Sequence, residues 1–260
     1  MGILSPMSED TIWEQIEPAA GAFDVVGDLH GCMDALRRLA DALGYDAKFK
    51  HPSRKLAFVG DLINRGPDSA GVLRTVIGLV DSGDAYAVLG NHDDTLRRFL
   101  NGEEMHLKGD MAATVASIDT QPDHMAFRER VHKFLNTRPL ILSLDENRLL
   151  VVHAGIEGGM RERRDAVTRN FILNGEAIGK SPEGKTLRRD WAREYHGSAF
   201  IAYGHTPVPR AEIRFNTVNV DTGAVRGGFL TALQWPEQTT LSVPSGYSWH
   251  RPEKSENQSP

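Results

Sequence analysis

A disulfide framework is excluded at once: the 260-residue chain has a single cysteine, Cys32, and a bridge needs two. No apolar run approaches the roughly 20 residues that span a bilayer, so no membrane helix is expected. Met1 to Glu17 carries Ser5, Glu9, Asp10, Glu14 and Glu17 instead of the basic start and apolar run of a secretory signal. The expected localisation is therefore cytoplasmic, with no membrane partner. Positive charge is also in deficit. A net charge of −5 and a pI near 6.1 argue against an extended nucleic-acid surface, although they leave room for a local basic pocket. Three catalytic signatures are missing as well: the Gly-x-x-x-x-Gly-Lys-Ser/Thr phosphate loop, a Gly-x-Gly-x-x-Gly after a strand, and the Gly-x-Ser-x-Gly elbow.

Aromatic residues are modest at 7%, yet 40% of the chain is hydrophobic, enough to fill one large core. Three short apolar runs, Phe23–Asp28, Lys55–Asp61 and Ala85–Asn91, end in polar, glycine-containing turns and read as buried strands. Helical spacing follows the first two. Leu36, Leu39, Ala40 and Leu43 mark one helix over 33–43; Val72, Val76, Leu79 and Val80 mark another over 68–80. Alternating strand and helix predicts a βαβ beginning and a mostly parallel sheet. Leu149–His153, Ala199–Tyr203, Thr217–Asp221 and Phe229–Leu233 predict a second sheet packed on the first. The expected organisation is an N-terminal extension over 1–22, one domain over 23–243, helical caps near 100–138 and 157–195, and a disordered tail over 244–260.

Chemistry concentrates where the strands stop. Asp28-Leu-His30-Gly31 follows the first, Gly60-Asp61 with Asn64-Arg65-Gly66 the second, and Gly90-Asn91-His92-Asp93 the third. His153-Ala-Gly155 and Gly204-His205-Thr-Pro207 follow later strands. Carboxyl ends of strands gather at one edge of an open α/β sheet, where ligands bind. One strand-terminal Asp is usually a turn former, and one such His a satisfied core residue. Five sites in the same context instead describe a metal centre. Carboxylate oxygens mixed with imidazole suit manganese, iron, zinc or cobalt. An Asp at a strand end can bridge two ions about 3.5–4 Å apart, which clamp both oxygens of a phosphoryl transfer and activate a water as the nucleophile. Asp28 and His30 reach one ion only if the backbone turns between them, a turn that Gly27 and Gly31 would permit. Cys32 reads as a small buried residue.

In this order, Asp-x-His-Gly, Gly-Asp-x-x-x-Arg-Gly, Gly-Asn-His, His-Ala-Gly and Gly-His-Thr-Pro resemble the calcineurin-like metallophosphoesterases, and their phosphoprotein-phosphatase branch in particular. Downstream, Arg188-Arg-Asp-Trp-Ala192, Tyr203–Val208, Asn219–Gly223 and Gly227–Ala232 resemble bacterial asymmetrical bis(5'-nucleosyl)-tetraphosphatases. They are equally similar to the phosphatase module of bacterial polynucleotide kinase-phosphatases. The resemblance implies an α/β fold of two packed mixed sheets flanked by helices, and two divalent metals, manganese first, with iron, zinc, cobalt or nickel as alternatives. It implies Asp28, His30 and Asp61 at the first metal, and Asp61, Asn91, His153 and His205 at the second. Arg65 would hold the phosphoryl oxygens, His92 would protonate the leaving group, and Asp221 occupies a position that is either catalytic or structural.

The family usually has Asp where this chain has Asn64. Asn can accept a hydrogen bond from His92 but cannot stabilise its charged form as an anion would. The substrate is expected to be a small phosphorylated molecule, a dinucleoside tetraphosphate in the first reading. Arg188 and Arg189, with Arg161, Arg163, Arg164 and Arg169, are candidates to bind the polyphosphate, although Glu162, Asp165 and Asp190 are interleaved among them. Alternative readings are a phosphoserine/phosphothreonine phosphatase, an RNA-end phosphatase or phosphodiesterase, and a metal-binding regulatory protein with little turnover.

Overall fold

A computed structural model describes residues 13–17, 19–182 and 184–249. Most of the expected N-terminal extension and residues 250–260 of the expected tail lie outside them.

The first βαβ units form as the apolar spacing predicts. Strand β2 (Ala22–Val26) leads to helix α1 (Met33–Ala42), β3 (Arg54–Phe58) to α2 (Ser69–Asp81), and β4 (Ala85–Ala87) to α3 (Asn91–Leu100). In α1 the apolar positions Met33, Leu36, Leu39 and Ala40 are buried, while Asp34, Arg37 and Arg38 face solvent. Asp68 caps α2 by accepting from the Gly71 N–H at 2.7 Å. Residues 100–138 hold two helices, α4 (Gly109–Asp119) and α5 (His124–Asn136).

The remaining strands are β1 (Glu14–Ile16), β5 (Ile141–Leu144), β6 (Leu149–Val152), β9 (Phe200–Tyr203), β10 (Ile213–Arg214), β11 (Thr217–Asn219), β12 (Phe229–Trp235) and β13 (Thr239–Pro244). Two mixed sheets result, ordered β13-β12-β2-β3-β4 and β1-β5-β6-β9-β11-β10. Period-two alternation sorts each strand between two cores. Phe23, Val25, Ala57 and Val59 of the first sheet meet Leu149, Val151, Phe200 and Ala202 of the second. Leu56, Phe58, Leu150, Val152 and Ile201 face the opposite way and join the core that includes the helices.

Three expectations need correction. Phe229–Leu233 does not join the second sheet: β12 lies antiparallel to β2 in the first, Ala232 opposite Val26. Its Leu233 and Trp235 fill the space between the sheets. The cap over 157–195 is not wholly helical. It holds one helix, α6 (Ala166–Asn174), the hairpin β7 (Ala177–Lys180)–β8 (Thr186–Arg188), and a 3-10 turn over Trp191–Glu194. Packing also continues past residue 243, since Tyr247 and Trp249 lie against the helix-side core. At the other end, β1 adds a parallel edge strand beside β5, within the segment expected as an extension.

Candidate metal centre

The sharp turns after the strands are made largely by the candidate site residues themselves. His30, Asp61, Asn64, Arg65 and His205 all have positive φ, from 42° to 74°. A non-glycine residue there costs on the order of 1–3 kcal/mol and persists only where its surroundings over-determine it. The turn between Asp28 and His30 is thus made by His30 and by Gly31 at φ 71°. Gly27 has a different task, because a Cβ there would lie 2.2 Å from the Val220 carbonyl oxygen. Gly60 combines both demands: φ is 92°, and a Cβ would come within 2.4 Å of the Gly90 nitrogen.

Asp61 occupies the middle of the site. Among the described residues, its carboxylate belongs to two clusters of possible metal ligands, one with His30 and His92 and one with His153 and His205. The N-terminus of α3 meets it directly, for the His92 N–H donates to Oδ1 at 3.0 Å. Asp93 anchors that helix end by accepting from the Gly90 and Leu62 N–H groups.

Outer contacts aim the imidazoles. His30 Nδ1 lies 2.7 Å from the Ile63 carbonyl and His153 Nδ1 2.9 Å from that of Val59. A carbonyl only accepts, so both Nδ1 atoms carry the proton and both Nε2 atoms present lone pairs inward. His153 Nε2, His205 Nδ1 and Asn91 Oδ1 converge within 2.9–3.1 Å of one another. His205 Nε2 is buried and has no hydrogen-bond partner among the described residues.

Asp28 accepts from the His205 backbone N–H with both oxygens, at 3.1 and 3.2 Å, and lies near enough to Asp61 for the two charges to act on each other. His92 joins His30 and Asp61 in the first cluster of possible ligand atoms.

Electrostatics test whether divalent ions fit. Burial, and then Asp221 and Asp61, push the Asp28 carboxyl well above its usual range. Burial lifts Asp221 to about 6. Asp61 is also buried, which would raise it, yet the surrounding imidazoles hold it low. Burial pulls His30 to about 3 and His205 to about 2, so these rings are neutral at pH 7. Three buried carboxylates and four inward-facing imidazoles therefore surround one guanidinium within hydrogen-bonding reach, that of Arg65, with Arg188 and Arg226 acting through their charge. Such an excess of buried donors is costly unless cations balance it, and the mixed oxygen and nitrogen set suits first-row divalent ions. The residues fit a dinuclear centre.

Arg65 spans the cluster, with Nη1 2.6 Å from His30 Nε2 and Nη2 2.9 Å from His92 Nε2. On its other side, His92 Nδ1 is 2.6 Å from the Asn64 side-chain amide, whose remaining atom meets the Thr114 hydroxyl at 2.7 Å. Amide oxygen and nitrogen are distinguished only by their partners. With the amide oxygen towards Nδ1–H, His92 Nε2 can accept from Arg65 and the amide N–H can donate to Thr114, which satisfies every group. Thr114 from α4, like Ser69, whose hydroxyl accepts from the Asn64 N–H at 2.9 Å, had no signal in the sequence. Asp221 reaches the cluster as a buried acceptor of the Gly223 N–H at 3.0 Å.

The two candidate arginines part company. Arg189 is ion-paired with Glu157, Glu176 and Glu194. Arg188 donates from Nε to the Asn174 carbonyl at 2.7 Å and lies near enough to depress His205 by its charge. Arg161, Arg163 and Arg169 pair with Glu14, Asp165 and Asp94, and Arg164 lies over Trp13. Cys32 is buried, and burial pushes its thiol up to about 11.

Two packed mixed sheets that bring Asp, Asn and His to one edge define a metallophosphoesterase. The chain belongs to the calcineurin-like phosphoesterases, whose family model matches residues 22–229; it is a phosphate-ester hydrolase of a family that uses a dinuclear divalent metal centre. More narrowly, it is 43% identical over 230 residues to the asymmetrical bis(5'-nucleosyl)-tetraphosphatase PrpE of Anoxybacillus flavithermus, covering 86% of this chain and 94% of that one. It is 43% identical over 238 residues to the protein of that name from Geobacillus thermodenitrificans, covering 89% and 97%. A crystal structure provisionally assigned as a diadenosine tetraphosphatase superposes with TM-score 0.67 at 25% identity, over 92% of this chain and all of that one. A serine/threonine phosphatase from Saccharomyces cerevisiae shares the fold, with TM-score 0.60 at 14% identity over 94% of this chain and 85% of that one. No helix among the described residues is long and apolar enough to cross a membrane.

Proposed function

We propose that this chain hydrolyses dinucleoside tetraphosphates asymmetrically, as a cytoplasmic enzyme loaded with two manganese ions. The observation that carries the substrate reading is the 43% identity spanning 94% of a relative with that name. Asp28, His30 and Asp61 would hold one ion; Asp61, Asn91, His153 and His205 would hold the other. When bound, the two ions supply Lewis acidity and positive charge at the phosphoryl group. Arg65 draws the non-bridging oxygens towards its guanidinium and neutralises the charge that grows on them. In its imidazolium form, with Arg65 turned to the phosphoryl oxygens, His92 would deliver the Nε2 proton to the departing oxygen, while Asn64 keeps the ring oriented through Nδ1. Arg188 binds the outer phosphates, and Asp221 supports the metal-facing residues from behind.

Asn64 favours this substrate. A polyphosphate leaving group needs little protonation, so an acid lacking an anionic partner is sufficient for it. A serine alkoxide needs far more. The test is product analysis with manganese-loaded protein on diadenosine tetraphosphate, a phosphoserine peptide and an RNA 3'-phosphate. The expected products from the first are a nucleoside triphosphate and a monophosphate, at a kcat/KM well above the other two. Two diphosphates, or faster turnover of the peptide or the RNA, would overturn the reading.

A further inference from the structure

Asn64 and Arg65 are consecutive non-glycine residues with φ of 74° and 66°. Two such residues in a row need support from both sides. The inner side is supplied by the Ser69 hydroxyl on the Asn64 N–H and by the tight approach of Gly66, where a Cβ would meet the His30 carbonyl at 1.9 Å. The outer side is supplied from the far end of the chain. Tyr247 donates its hydroxyl to the Arg65 carbonyl at 3.1 Å. Two residues on, the indole of Trp249 lies 5.8 Å from the Arg65 guanidinium, and the same distance separates it from that of Arg226.

This segment is itself firmly attached. Ser245 N–H donates to Gly228 at 3.0 Å and Trp249 N–H to Val225 at 2.7 Å. Arg38 of α1 donates to the Pro244 and Ser245 carbonyls, each at 2.8 Å. The Trp249 indole N–H reaches Asp110 of α4 at 3.3 Å. Residues 245–249 thus form a strap across the Asn64–Arg65 turn, tied to the first sheet's last hairpin, to α1 and to α4. We propose that Tyr247 and Trp249 are positioning residues for Arg65. The tyrosine fixes the backbone from which the guanidinium springs, and the indole face limits its swing. An arginine otherwise has several rotatable bonds to order before it can meet a phosphoryl group, and a pre-set guanidinium avoids that cost at the moment of reaction. The inference rests on the reading of Arg65 as the phosphoryl-binding residue.

The test is a double-mutant cycle in manganese-loaded full-length protein, with p-nitrophenyl phosphate as substrate and inorganic phosphate as competing ligand. Trp249→Leu should lower kcat/KM and weaken phosphate inhibition by roughly 3- to 30-fold, the range of a cation–π contact. Trp249→Phe, which keeps an aromatic face, should recover most of that loss. Tyr247→Phe should cost roughly 2- to 10-fold. Manganese content and melting temperature should match the parent for the Phe variants. In an Arg65→Ala background, Trp249→Leu should have no further effect on either readout, because the side chain it acts through is gone. The same fold-loss with and without Arg65 would overturn the proposal, as would full phosphate affinity in Trp249→Leu. If Arg65→Ala alone leaves turnover and phosphate inhibition unchanged, the role given to Arg65 fails first, and the fault lies in that reading.

Discussion

The edge of the first sheet and the cap over residues 157–195 meet at the same site but are built oppositely. At the sheet edge, Asp28, His30, Asp61 and Asn64 are almost completely buried, and every turn is fixed by positive φ or by a close approach at glycine. In the cap, the hairpin strand Ala177–Lys180 is exposed throughout, with Ile178 at 60%, and Arg163 and Arg189 are held by Asp165 and by Glu176 and Glu194 at the surface. Such exposed pairs contribute about 0–1 kcal/mol each, whereas the buried donors of the edge are tolerated only as a set. The proposed roles divide in the same way: chemistry that demands fixed geometry is assigned to the rigid side, and the contact of Arg188 with the rest of the substrate to the adaptable side.

The sharpest way to break this contrast is at Asp61, shared by both ligand clusters. Asp61→Ala should lose more activity than the ~10–100-fold typical for removing a residue that only supports a ligand. Elemental analysis should find both manganese ions depleted. Retained metal and rate would show that the edge is not organised around this carboxylate.

Next in size is a comparison of two glycines. Gly60→Ala forces a side chain into backbone at an unfavourable φ, which should cost on the order of 1–3 kcal/mol and several degrees of melting temperature. A Cβ at Gly158 in the cap would meet nothing within 4 Å, so Gly158→Ala should stay within about 0.5 kcal/mol. Equal thermal shifts would mean that the two regions are equally constrained.

Asn64→Asp should alter pH dependence more than maximal rate. Burial holds His92 below the ordinary imidazole range; Asp61 opposes that shift and Arg65 adds to it. An added carboxylate favours the imidazolium, so the acid form persists to higher pH and the alkaline limb moves upward, by about one to three units if the charges lie within 4–6 Å. The change should be clear with an alkyl phosphate and slight with an anhydride. Identical changes on both would place the effect of Asn64 on the metals or on folding.

The smallest expected difference separates neighbours. Arg188→Ala should raise KM for diadenosine tetraphosphate about tenfold, as for a charged hydrogen bond. Arg189→Ala, already committed to three glutamates, should leave KM within about twofold. Equal effects would sink the assignment of Arg188 to the polyphosphate.

The sheet edge was readable in the sequence because its signals are local. Asp28-Leu-His30-Gly31, Gly60-Asp61 and Gly90-Asn91-His92 each join an apolar run to a turn, and the chemistry follows from which residues end each run. The cap was less readable. Ala177–Lys180 and Thr186–Arg188 are short and face solvent, so no alternation marks them as strands. Phe229–Trp235 was legible as a strand but not in its place, because an antiparallel return beside β2 leaves no mark in local periodicity. Trp249 was lost in a segment whose Ser, Pro and Glu content suggested disorder, since composition does not register one aromatic docked on a distant turn. Thr114 was invisible for a similar reason: nothing on its own helix announces a hydrogen bond to Asn64.

The insertion of β12 between β13 and β2 bears on how the molecule is made. Val26 and Ala232 face each other across that ladder, though about two hundred residues separate them along the chain. Strand β2, which leads into Asp28 and His30, therefore keeps one open edge until residues 229–235 have been made. Pairing over so long a separation is slow, and an unpaired hydrophobic edge invites association with other chains. The ribosome must release residues 229–235 before the strand leading into Asp28 and His30 acquires its second neighbour. Early fragments that contain every residue of the Asp28, Asp61 and Asn91 motifs would thus still lack the strand that completes their sheet.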